Sequence, residues 1–125
     1  DRARVEAALA RPALWDSVLA LLAARGHPVP AAALGRDVRI AYEPSEGVQA
    51  ALEHAYRGDP EVALLLERLV DVDEGLQEWR YRHVKMVERT IGSKPGTGGS
   101  SGAAYLAGTL FRPVFPDLWA VRARF

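Results

Sequence analysis

"DPEVALLLERLVDVDEGLQEWRYRHVKMVERTIG", residues Asp59–Gly92, decides the fold. Asp59 is a good helix N-cap, Pro60 suits the first helical position, and the pattern continues to Gly92, a natural stop. The stretch predicts one helix over about 60–91, roughly 48 Å long at 1.5 Å per residue. Leu69, Val72, Leu76, Trp79, His83, Met86 and Thr90 recur at steps of three and four, which places them on one continuous stripe of that helix. Arg82, Lys85 and Arg89 share this spacing on an adjoining face and form a basic edge beside it.

Helical signals also dominate on either side. Residues 2–10 are rich in Ala and Arg, and Pro12 suits the first turn of a second helix carrying Leu14, Val18, Leu19, Leu21 and Leu22, which Gly26 closes. "GHPVPAAALGRD" is a connection punctuated by Pro and Gly, and "VRIAYEP" has no partner strand and is read as a loop. Ser45 caps a helix running to about Arg57. Beyond the long helix, "AAYLAGTLF" can form a short helix, and "DLWAVRARF" a last helical turn or two after Pro113 and Pro116. The fold class expected is all-α, a helical bundle with one long central helix over about 60–91 followed by a Gly/Ser-rich loop. Residues 1–125 are expected to form a single domain.

The composition narrows the partners. A chain of 125 residues can bury about two thirds of the surface its unfolded form exposes. Lys plus Arg and Asp plus Glu each total 16, so no net field favours nucleic acid or an anionic membrane. The absence of cysteine excludes disulfides, thiolate metal ligation and a cysteine nucleophile, and leans towards the cytosol. No uninterrupted apolar run approaches the roughly 20 residues of a membrane span. The chain opens on Asp1 and not Met, directly in a helical pattern, which points to a piece of a longer polypeptide.

A lone histidine on an apolar stripe is most simply a hydrogen-bonded core residue. His83 has a second reading, because Trp79 and Met86 offer a flat, polarisable wall and the basic edge offers cations. A large planar cofactor such as haem needs one neutral imidazole on its iron, an apolar surface under the ring and cations near its propionates. Zinc is a poorer match, since no second histidine or carboxylate stands three or four residues from His83. His27 and His54 are read as structural.

"GSKPGTGGSSG", residues 92–102, resembles a phosphate loop only superficially. Ser101 stands where G-x-G-x-x-G requires glycine, the Gly-Lys-Ser/Thr ending of a P-loop is absent, and the segment follows a helix and not a strand. Its glycines permit close backbone approach while Thr97, Ser100 and Ser101 supply hydroxyls, which suits a loop closing over a small zwitterion. A flexible linker has the same composition.

Taken together, "EWRYRHVKMVERTIGSKPGTGGSSGAAYL" (78–106), preceded by "LVDVDEGLQ" and followed by "VFPDLWAVR", resembles the C-terminal half of the tryptophan 2,3-dioxygenase family. The similarity extends to "GHPVP" and the following "RD" and is most specific from Leu69 to Leu106. The resemblance implies an all-helical, cytoplasmic, homotetrameric enzyme with one haem b per protomer, inserting both atoms of O2 across the indole C2–C3 bond of L-tryptophan to give N-formyl-kynurenine. It implies His83 as the axial ligand of the haem iron, Thr97 at the amino-acid end of the substrate, and Gly98 lending backbone to the same pocket. It assigns no general acid or base to this chain. The family's distal haem wall and substrate-carboxylate arginine come from an N-terminal half that nothing here matches, so that half is expected elsewhere in the enzyme. Two other readings stay open: a non-catalytic helical module that binds haem or self-associates, and a nucleotide-binding loop controlled by Thr97.

Overall fold

A computed structural model describes residues 1–92, 108, 110 and 112–125, and the chain is all-α. Its helices are α1 (Arg2–Leu9), α2 (Leu14–Ala24), α3 (Ala31–Leu34), α4 (Glu46–Gly58), α5 (Pro60–Ile91) and α6 (Pro116–Ala120), with a final 3₁₀ turn at Val121–Arg124. No strand occurs among the described residues, and "VRIAYEP" is irregular as expected. The long helix has the predicted bounds, and Gly92 closes it at φ +59°, a left-handed conformation costly for any residue with a Cβ. Pro12 lies two residues ahead of α2 and not inside its first turn.

Contacts divide the chain into two compact units. The first comprises residues 1–66 and 115–125, the second residues 67–114. In the first, α2 contributes Trp15, Val18, Leu19 and Leu22, α4 contributes Val48, Ala51, Leu52 and Ala55, and the C-terminal segment contributes Phe115, Leu118 and Val121. On α2 and α4 these are the i, i+3, i+4 and i+7 positions, so each helix presents one apolar face to the core. Each fully buried leucine contributes roughly 1.5–3 kcal/mol of burial. Gly47 permits α4 to start close to the preceding connection, since a Cβ there would lie 2.6 Å from Pro30 Cγ.

By length and composition, Arg2–Ala24 passes for a membrane span that no uninterrupted apolar run announces: it has 23 residues, with an 18-residue window of mean hydropathy 1.4. It is nevertheless two helices, broken between Leu9 and Leu14. The Asp16 carboxylate in α2 accepts from Arg36 at 2.7 and 2.9 Å and reaches back to the Ala13 N–H at 2.7 Å. Burial opposes its charge, but these donors hold its pKa below the ordinary value. The apolar face of α2 belongs to the core of the first unit.

Two further carboxylates organise that unit. Asp117 is fully buried and accepts from the Tyr42 hydroxyl, the Ser45 N–H at 3.0 Å and Gln49 Nε2 at 2.8 Å, tying α6 to the entry of α4. Burial, and then the hydrogen bond to Asp117, push the Tyr42 hydroxyl well above the usual phenol range. Asp59 caps α5 through the Val62 N–H at 3.4 Å, takes a two-pronged interaction from Arg25 at 2.7 Å on each oxygen, and accepts from His27 Nε2 at 2.8 Å. His27 Nδ1 in turn shares a 2.8 Å hydrogen bond with His54 Nδ1 of α4.

Replacing Asp117 by alanine leaves three half-buried donors without their acceptor, and is expected to lower unfolding free energy by about 3 kcal/mol in urea titration. Asp59 gives a pH dependence. Hydrogen bonds from Arg25, then His27, hold its carboxyl well below its ordinary 3.8. Its stabilisation is therefore complete above about pH 4 and is lost as acid protonates it. Urea midpoints measured between about pH 6 and pH 2 should fall less steeply in Asp59→Asn than in the unsubstituted chain.

Candidate functional site on the long helix

The second unit is built on the distal part of α5, and helical phase sorts its side chains. Leu69, Asp73, Arg80 and Val84 lie within about 60° of one another around the axis at 100° per residue. Leu69, Asp73 and Val84 are buried, Val84 to 4% exposure. Asp73 accepts the Val114 N–H at 3.0 Å, and Arg80 donates to the Arg112 carbonyl. This face holds the returning segment. Neither charged residue stood out in the sequence, although their registry with Leu69 and Val84 was the available signal.

The predicted stripe lies on the neighbouring sector. Leu69 is its only strongly buried member. Val72, Leu76, Trp79 and Met86 are open to solvent, Trp79 at 60% and Met86 at 55%. His83 is half-buried among them, with its ring stacked on the Trp79 indole, centroids 4.9 Å apart and planes 8° from parallel. Its ring nitrogens have no hydrogen-bond partner among the described residues. His83 is therefore not the hydrogen-bonded core histidine that the simplest reading supposed. An imidazole with an uncommitted lone pair on an open apolar face is suited to ligate a metal carried by a flat group.

The basic edge is less uniform than its spacing suggests. Lys85 is engaged, pairing with Glu88 at 3.2 Å and standing 5.8 Å from the centroid of the Tyr81 ring. Arg82 and Arg89 make no ion pair or hydrogen bond among the described residues. A groove of about 390 Å³ is lined by Tyr81, Arg82, Lys85, Met86, Arg89 and Thr90, so it joins two members of the stripe to all three cations.

Thr97 and Gly98, with the short helix expected in "AAYLAGTLF", lie outside the described residues, apart from Gly108 and Leu110. His27 and His54 belong to the Asp59 network of the first unit. Among the described residues, no group of three or more His, Asp or Glu side chains is arranged to hold a metal ion.

Comparison with known proteins adds the following. The family model described as tryptophan 2,3-dioxygenase matches residues 16–125. Proteins named tryptophan 2,3-dioxygenase are similar to this chain: that of Anaeromyxobacter dehalogenans is 61% identical over 120 residues, 96% of this chain and 45% of its own length. That of Herpetosiphon aurantiacus is 58% identical over 96% of this chain and 46% of its own length. That of Caulobacter vibrioides is 48% identical over 98% and 48% respectively. The chain thus spans a little under half the length of the curated relatives it matches.

Proposed function

The chain belongs to the tryptophan 2,3-dioxygenase family, and on that premise we propose that it is the haem-proximal part of an enzyme that inserts both atoms of O2 across the indole C2–C3 bond of L-tryptophan, giving N-formyl-kynurenine. The observation that carries this reading is His83: its nitrogens have no hydrogen-bond partner among the described residues, and its ring is stacked on Trp79 within an open apolar stripe.

The residues present fit a haem. His83 would hold the iron through a neutral imidazole, and the haem so held would supply the chemistry of O2. Stacking on Trp79 restrains the imidazole plane, and Leu76 and Met86 offer an apolar floor that keeps water from the ring. The bound haem supplies the redox chemistry; the chain supplies its position. In the same reading, Thr97 donates its hydroxyl to the amino-acid end of L-tryptophan and Gly98 contributes a backbone N–H. One haem b per protomer, a homotetramer and a cytoplasmic location complete the proposal, with the distal wall supplied by an N-terminal half. The exposed Val72, Leu76, Trp79 and Met86 also favour a second reading, a module that binds haem or associates with itself without turnover.

Titration with haemin, followed by visible absorption, tests the ligand. The unsubstituted chain should saturate at one haemin with a sharpened Soret band, and His83→Ala should lose this stoichiometric binding. His83→Gly should recover it with added imidazole. Full occupancy and an unchanged spectrum in His83→Ala would remove the assignment. Thr97→Ala, in enzyme completed by the N-terminal half, should weaken L-tryptophan binding by about tenfold, the loss of roughly one hydrogen bond, at unchanged haem content. Haem uptake without N-formyl-kynurenine in the completed protein would favour the non-catalytic reading.

A further inference from the structure

His27 and His54 meet in a way that limits how much charge they can carry. His27, in the connection after α2, is 8% exposed, and its Nε2 faces Asp59 Oδ2 at 2.8 Å. An ionised carboxylate gripped by Arg25 on both oxygens can only accept, so this nitrogen carries a proton. The other nitrogen, Nδ1, faces His54 Nδ1 at 2.8 Å. The ring centroids are 5.1 Å apart, as far as two imidazoles bonded through one nitrogen each can stand at that distance, so the two nitrogens point straight at one another. The gap is too narrow for a metal ion, since two imidazole nitrogens on one tetrahedral ion lie roughly 3.3 Å apart. It fits one proton.

Proton positions on the four ring nitrogens set the limit. His27 Nε2 donates to Asp59, the two Nδ1 atoms share one proton, and His54 is exposed, with no hydrogen-bond partner for its Nε2 among the described residues. When both rings are neutral, His54 holds its proton on Nδ1, because otherwise two lone pairs would face each other. One further proton enters at His54 Nε2 with the contact intact. A second would set two N–H groups head-on. Neighbouring charges do not relieve this: Arg25 is held by Asp59 and Glu61, and on α4 Glu53 is held by Arg57 and by Arg124 of the C-terminal turn.

We propose that His27 and His54 form an acid-operated latch, which carries one positive charge while closed and opens when a second proton enters, freeing α4 from the connection after α2. His27 is the buried half, retained by Asp59, and His54 is the surface half that leaves. In an unfolded chain both histidines are charged below about pH 6. The closed latch there binds one proton fewer than the unfolded chain, so its contribution to stability falls as pH falls.

Nitrogen–proton correlation spectra of the imidazoles in the full chain read these protons directly. At about pH 7.5, where an ordinary histidine is neutral, His54 should show the Nδ1–H tautomer and His27 the Nε2–H tautomer. On acidification, the shared bond should vanish together with uptake of the second proton. His54→Gln supplies the control, because an amide can turn either its N–H or its oxygen towards His27 and so tolerates a charged ring. Between about pH 6 and pH 4.5, each unit of acidification should raise the unfolding constant of the unsubstituted chain about tenfold more than that of His54→Gln, the signature of one proton. An Nε2–H tautomer of His54 near neutral pH, two charged rings with the contact still closed, or equal pH slopes in the two chains would overturn the latch. The spectra test the unsubstituted chain alone, so this reading does not depend on how the variant folds.

Discussion

The Asp59 carboxylate is the interaction from which the long helix starts. It closes the first turn of α5, and the same two oxygens hold Arg25 and His27 from the segment after α2. Through His27 and His54 the contact extends to α4. One buried charge thus fixes where α5 begins relative to the helices packed around its first turns. Within each unit, positions along α5 inherit their relative angles from helical geometry, because an unbroken helix advances each side chain by the same rotation.

That inheritance decides which residues are open. Between Leu69 and Thr90, a rotation of about 90° separates the face that takes Val114 and Arg112 from the face that carries Trp79 and His83. Two neighbouring sectors of one helix therefore hold opposite kinds of surface. Asp73 and Arg80 lie on the covered side, Val72 and Met86 on the open side. Hydrophobicity alone would have placed them the other way round.

This inversion marks where the sequence was legible and where it was not. Helix bounds were readable because they are set locally: Ser45, Asp59, Pro60 and Gly92 act on the few residues beside them. The stripe was readable too, as a period. Which stripe is covered depends on what packs against it, and that information lies in remote residues such as Val114 and Tyr42, linked to Asp73 and Asp117 by contacts no periodicity reveals. The basic edge shows the same limit, since spacing makes Arg82, Lys85 and Arg89 alike and only the fold separates the paired lysine from two arginines with no partner among the described residues. The His27–His54 contact is likewise a product of the fold, joining residues that the chain keeps far apart.

The clamp of Asp73 and Arg80 on Val114 and Arg112 has a consequence for the length of the segment between. The chain leaves α5 at Gly92 and returns to hydrogen bonds with the same helix, so its two ends are secured by contacts outside the intervening residues. Ring-closure entropy grows only logarithmically, by roughly 0.6 kcal/mol for each doubling of length. A longer or shorter connection between Gly92 and Arg112 would therefore change the closure cost of that hold only slightly.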